Sequence, residues 1–186
     1  MRVIAGTLKG RRLVGPDWPG LRPTSDKLRE TLFNVLGERV AGARVLDAYA
    51  GTGAIGIEAL SRGAVFVAFV DRDPRALALV AANLRRCGLT EGYAMMRSAT
   101  GLRRQVEMRP FDLVLLDPPY GERDLTGAVV SASEWLAPEG CLVLEHEVRR
   151  APPETAGPLV RARTVRSGDS ALTFYTRPPT ATPVDA

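Results

Sequence analysis

Histidine, cysteine and long apolar runs are scarce in this chain, and each shortage narrows what it is. His146 is the one histidine, and the two cysteines, Cys87 and Cys141, stand far apart and form no CxxC pair. Zinc sites are built from several converging Cys and His ligands, so no metal is expected. The cysteines read as free thiols of a reducing compartment. No stretch approaches the roughly 18 apolar residues of a membrane helix. The opening Met1-Arg2-Val3-Ile4-Ala5-Gly6 lacks the apolar core and cleavage pattern of a secretory leader. The expected location is the cytoplasm, with no membrane partner. Lysine is nearly missing too: Lys9 and Lys27 are the two among 25 basic residues.

What is present suits one globular domain. The chain has 186 residues, 45% of them apolar and 25% charged, enough to bury a sizeable core. No heptad or long apolar face asks for a second copy, so a monomer is expected. The net charge is +4, but residues 1–29 alone carry seven basic side chains against Asp17 and Asp26. The whole excess therefore sits in the N-terminal segment, as in an arm that contacts phosphates. An arginine-rich solvated surface is the bland alternative.

Along the chain, Val3-Ile4 and Leu13-Val14 predict a small hairpin through Gly6 and Gly10, and residues 15–20 predict a loop. A helix is expected after Pro23, with Thr24, Ser25 or Asp26 as cap and Leu28, Leu32, Val35 and Leu36 on one face. From residue 44 strands and helices alternate. Strands are predicted at 44–49, 65–70, 93–96, 111–116, 141–145, 159–166 and 171–176, the last two as a hairpin. Helices are predicted at 54–62, 74–86 and 124–136, with a short one near 101–107. Apolar strands separated by helices imply an α/β fold, a sheet covered on both faces. Ligands of such sheets bind at the carboxyl ends of the strands.

Val45-Leu46-Asp47-Ala48-Tyr49-Ala50-Gly51-Thr52-Gly53-Ala54-Ile55-Gly56 runs from a strand through a glycine turn into a helix. It fits the dinucleotide fingerprint, which is a weak signal alone. Asp71, ending the second strand, can accept from both hydroxyls of a ribose. Asp47 tilts the choice of cofactor. A carboxylate ahead of the glycines would repel the pyrophosphate of NAD, whereas a sulfonium carries no phosphate. There it can organise the glycine loop or meet the ammonium of a methionine moiety, and S-adenosylmethionine fits.

Asp117-Pro118-Pro119-Tyr120, directly after the apolar run Phe111–Leu116, carries the chemistry. An exocyclic amine of a base is a poor nucleophile because its lone pair is delocalised into the ring. The Asp117 carboxylate and the Pro118 carbonyl can hold both N–H hydrogens and draw the nitrogen toward tetrahedral geometry. Pro118 and Pro119 restrict the loop, and Tyr120 offers a face on which an unpaired base can stack. Transfer from a sulfonium is a direct displacement, so positioning is the main source of rate. His146, Glu145 and Glu147 read as structural, and Trp18 and Trp135 as packing residues, with Trp18 a possible RNA contact.

These residues resemble the (D/N)PP(Y/F) amino-methyltransferases. More narrowly, the chain is similar to the RsmD family of bacterial 16S ribosomal RNA guanine-N2 methyltransferases. The likeness covers the opening Arg2–Gly6 with Lys9-Gly10-Arg11, the segment Gly20–Asn34, Leu46–Gly56, Glu58–Ala64 and Asp117–Tyr120. It implies a class I, Rossmann-like methyltransferase fold with a seven-stranded mixed sheet and a small N-terminal hairpin. The expected division is a basic extension at 1–20, the methyltransferase domain at 21–177 and a disordered tail at 178–186. It implies S-adenosylmethionine as cofactor and a guanine of 16S ribosomal RNA, in an assembled or assembling small subunit, as target. The cofactor candidates are Asp47, Tyr49, Ala50, Gly51, Gly53, Asp71, Arg72 and Asp117. Ser98 and Ala99 join them where the family usually has Asp or Asn. The RNA candidates are Arg2, Lys9, Arg11, Arg12, Arg22, Thr24 and Lys27, with Arg22, Pro23 and Thr24 also lining the cofactor and base pocket.

Three other readings compete. A DNA amino-methyltransferase usually carries a sizeable recognition region, for which this length leaves little room. An NAD oxidoreductase shares the glycine turn and Asp71. A non-catalytic RNA-binding assembly factor would have no use for an intact Asp117–Tyr120.

Overall fold

The computed structural model describes residues 1–20, 24–97, 110–119 and 121–178. Its centre is one sheet of eight strands: β1 (Arg44–Ala48), β2 (Phe66–Asp71), β3 (Tyr93–Arg97), β4 (Phe111–Leu116), β5 (Leu136–Glu147), β6 (Thr155–Ala156), β7 (Leu159–Ser167) and β8 (Ser170–Thr176). They lie in the order β3-β2-β1-β4-β5-β8-β7-β6. The first five pair in parallel, and β8 enters antiparallel between β5 and β7. The α/β class is as expected, and the count is eight strands where seven were predicted. The addition is β6, two residues that pair with Val160 and Leu159, too short to show any alternation.

Among the described residues four α-helices flank the sheet: α1 (Asp26–Leu36), α2 (Ala54–Ser61), α3 (Pro74–Cys87) and α4 (Leu125–Ser133). Helices α1 and α3 begin where their sequences dictate. The Ser25 hydroxyl accepts from the Leu28 N–H at the start of α1, an ordinary N-cap. Asp73 caps α3, Pro74 occupies its first turn, and Gly88 closes it with left-handed backbone. Alternation along the strands divides the core in two. Val45, Val67, Phe69, Leu113, Leu115 and Val143 face the side of α1, α2 and α3. Leu46, Ala68, Val70, Val114, Leu116 and Leu144 face the side of α4. Among the described residues no helix is long and apolar enough to cross a membrane.

Strand β5 is longer than the predicted 141–145 because Pro138-Glu139-Gly140 reads as a turn. The structure absorbs those residues in an irregularity, pairing Phe111 with Leu136 and then Leu113 with Cys141. The predicted helix near 101–107 lies outside the described residues, and so does the tail from residue 179 onward. The N-terminal hairpin is reduced to a single antiparallel bridge between Arg2 and Arg12. Backbone bonds from Val3 to Arg11, Gly10 to Val3 and Leu13 to Met1 still tie its two arms, while other N–H groups of the segment bond to the helices. The Glu58 carboxylate accepts from the Ile4 and Ala5 N–H groups at 2.7 and 2.9 Å. Ser61 accepts from Leu8 through its hydroxyl and from Thr7 through its carbonyl. Asn83 of α3 exchanges two bonds with the backbone of Val14. Val3 and Leu13 complete the attachment by entering the core.

Candidate active site

The strand order reverses between β1 and β4, and this is where a crevice opens in a parallel sheet. The residue parity that buries Val45, Phe69, Leu115 and Val143 also brings acids to the rim. Asp71, Asp47, Asp117 and Glu145 stand at the carboxyl ends of β2, β1, β4 and β5, on the face of α1 to α3. A cavity of 460 Å³ lies above them, lined by Tyr49, Gly51, Asp71, Asp117 and Glu145, with Trp18 and Thr24 from the N-terminal side.

The glycine turn forms the cavity's first wall. Tyr49 has φ 69°, an uncommon left-handed backbone for a non-glycine residue, and Gly51 and Gly53 follow at 54° and 76°. Gly56 serves packing instead: a Cβ there would come within 2.3 Å of the Phe69 ring, so α2 lies directly on β2. Asp71 fixes the turn from outside, accepting from Gly51 N–H with one carboxylate oxygen and from Asp73 N–H with the other, both at 2.9 Å. Arg72, exposed, and Ala50 also line the cavity. Asp47 and Gly53 lie behind the lining. The Asp47 carboxylate, 1% exposed, accepts from Gly56 N–H at 2.9 Å, so it organises the loop.

Burial raises the Asp47 carboxyl well above its ordinary value, the Gly56 N–H opposes this, and the nearby Asp117 and Asp71 carboxylates raise it further. The folded protein thus holds this proton more tightly than the unfolded chain. The resulting stability is complete below the unfolded carboxyl pKa and is lost as pH rises through the raised folded value. Asp47→Asn keeps an oxygen for Gly56 and removes that titration. Its unfolding free energy is expected to fall less between acid and neutral pH than that of wild type. An unchanged slope in denaturant titrations would assign the effect to another group.

Asp117 and Pro118 form the opposite wall, with Pro119 beside them. Burial pushes the Asp117 carboxyl upward, and hydrogen bonds from the Thr24 hydroxyl and the Glu145 side chain oppose the rise. Thr24, expected among the RNA contacts, is thus tied to Asp117. Of the RNA candidates, Arg2, Lys9, Arg11, Arg12 and Lys27 are exposed. Arg86 of α3 donates to the Arg12 carbonyl at 2.9 Å and adds its charge to that side. Trp18 lines the cavity with the Arg75 guanidinium 5.2 Å above its ring. Arg22, Ser98, Ala99 and Tyr120 lie outside the described residues. His146 is buried, its ring nitrogens 2.8 Å from the Glu147 carbonyl and the Thr173 hydroxyl, and takes no part in the cavity.

Two features were missed in the sequence. Glu145 was read as structural, because it ends an apolar strand and its neighbour Asp117 comes from another strand. Arg29 and Glu58 are both fully buried, 3.8 Å apart. Arg29 also donates to the Arg2 carbonyl and to Asp26 at 2.7 Å each. A charged residue at a core-facing helix position would have been the signal.

The profile of the family described as Conserved hypothetical protein 95 matches residues 1–176. The chain is 38% identical over 183 residues to the putative rRNA methyltransferase YlbH of Bacillus subtilis, covering 94% of this chain and 98% of that protein. It is 34% identical over 179 residues to the ribosomal RNA small subunit methyltransferase D of Escherichia coli K12, covering 95% and 90%. The solved structure of the putative methyltransferase yhhF from E. coli superposes with a TM-score of 0.80 at 30% identity, covering 95% of this chain and 97% of that one. The chain belongs to the conserved hypothetical protein 95 family, the RsmD family that its motifs resemble.

Proposed function

We propose that this protein transfers a methyl group from S-adenosylmethionine to the exocyclic N2 amino group of a guanine in 16S ribosomal RNA of the small subunit. The observation that carries the reading is that Asp117 and Pro118 line the same cavity as the glycine turn and Asp71. The names of the B. subtilis and E. coli relatives support RNA as the substrate. The cavity residues fit the cofactor. Its rim is carboxylate-rich, which favours a sulfonium and an ammonium and disfavours a pyrophosphate.

Asp71 would hold the ribose hydroxyls, and Tyr49, Ala50 and Gly51 the remainder at the backbone, with Arg72 beside them. When bound, the cofactor supplies an electrophilic methyl group. The Asp117 carboxylate and the Pro118 carbonyl accept the two N–H hydrogens of the target amine and aim its lone pair. Thr24 and Glu145 keep Asp117 in the accepting form against the cost of burial. The proton given up by the amine passes to Asp117 or to water. Cofactor contacts by Ser98 and Ala99 and base stacking by Tyr120, all outside the described residues, belong to the same proposal. Arg2, Lys9, Arg11, Arg12, Arg22 and Lys27 serve the RNA backbone, where their charge is best placed. Residues 1–20 act as the RNA arm of a monomeric cytoplasmic enzyme.

The test is methyl transfer from labelled S-adenosylmethionine to unmodified small subunits and to naked 16S RNA, followed by nucleoside analysis. Label in N2-methylguanosine is expected. Label confined to another nucleoside, or none in RNA while the cofactor binds, would overturn the substrate assignment.

A further inference from the structure

Glu145 has no place in the mechanism above beyond its contact with Asp117, yet its position is unusual. Strands β4 and β5 run parallel with Leu115 beside Val143 and Leu116 beside Leu144. One residue further, Asp117 and Glu145 leave adjacent strands on the same face of the sheet. Glu145 is 7% exposed and lines the same cavity as Asp117 and Pro118. Glu145 is among the groups that hold the Asp117 carboxyl down against its burial, so the two carboxyl groups face each other across the strand ends. A carboxyl group has two oxygens and several lone pairs, so it can accept from a ligand in addition to its protein contacts. The cavity floor thus offers two hydrogen-bond acceptors side by side, one from each strand.

Guanine has the complementary pattern. Its N1–H lies next to its N2 amino group, two donors on one edge. Adenine and cytosine place a ring nitrogen lone pair beside their amino group, so the same pair of acceptors would face a donor and an acceptor. We propose that Glu145 is a specificity-determining residue that accepts the guanine N1–H while Asp117 holds the N2 amine. The inference rests on the guanine-N2 reading above and adds the means by which that base is chosen. A site built to hydrogen-bond one group strongly rejects an analogue that lacks it, because its own buried polar atom is then left unmatched.

The test uses 16S RNA with either guanine or 2-aminopurine at the methylated position. The analogue keeps the 2-amino group and replaces N1–H by a lone pair. Wild-type kcat/KM is expected to favour guanine by about 100-fold, within the range of a bidentate base contact. In Glu145→Gln the amide can offer either an oxygen or an N–H, so the ratio is expected to fall to about tenfold or less. Glu145→Ala is expected to reduce it likewise. Binding of S-adenosylmethionine to each variant checks that the cavity is intact. Equal wild-type rates on the two bases would overturn the proposal without any variant. So would variants that lose activity equally on both bases, which would leave Glu145 only a support for Asp117. If wild type methylates no guanine, the guanine-N2 reading fails and this inference falls with it.

Discussion

Asp117→Ala is expected to lower the single-turnover rate of methyl transfer by about 1000-fold. The size follows from what the proposed mechanism asks of the carboxylate: to hold one amine hydrogen, help aim the lone pair and stand ready for the departing proton. Its accepting form is maintained at a cost, since burial raises its pKa and the Thr24 and Glu145 contacts work against that rise. Asp117→Asn keeps one acceptor oxygen and is expected to lose about 100-fold. Melting temperatures measured alongside separate a damaged site from a damaged fold. An Asp117→Ala protein that keeps more than a tenth of the wild-type rate would place the chemistry elsewhere. Full biological effect without the carboxylate would favour an assembly factor over an enzyme.

Glu58→Ala is expected to be the most destabilising single change. Glu58 is fully buried, accepts from two backbone N–H groups of the N-terminal segment, and pairs with Arg62 at 2.8 Å and Arg29 at 3.8 Å. Removing it leaves the buried Arg29 guanidinium without this carboxylate and detaches Ile4 and Ala5. Breaking a buried ion pair from one side costs about 3–5 kcal/mol, which for a domain of this size lowers the melting temperature by about 10 °C. Arg29→Met is expected to cost a comparable amount. The double variant should cost less than the sum of the two, because the partners are coupled. Additive losses in thermal unfolding would show that the two side chains act independently.

The elements that the sequence announces are those with local signals. Pro74 and Gly88 bracket α3, Ser25 opens α1, and the apolar runs at 65–70 and 111–116 emerge as β2 (Phe66–Asp71) and β4. Legibility ends where structure depends on distant partners. The two-residue β6 exists because β7 lies beside it. The turn-like Pro138-Glu139-Gly140 is carried inside β5 by its pairing with β4. Helix α4 spans Leu125–Ser133 where 124–136 was expected, a boundary for which the sequence offers no glycine stop.

The site divides in the same way. The glycine turn, Asp71 and Asp117 stand out because the proposed chemistry calls for those residue types at strand ends. For Asp47 the sequence left two roles open, and the Gly56 hydrogen bond places it behind the loop. Glu145 was invisible because what matters about it is register across 28 residues of chain, which no local pattern encodes.

Helix α2 has a consequence that reaches beyond packing. Its N-terminal end is the glycine turn, and its flank carries the N-terminal segment through Glu58 and Ser61. On the proposed reading, one eight-residue helix serves both the methyl donor and the RNA. If binding of the methyl donor shifts that helix and changes the affinity for RNA by some factor, RNA must change the affinity for the donor by the same factor, whichever arrives first. The two substrates would then be effectors of one another through a single short helix.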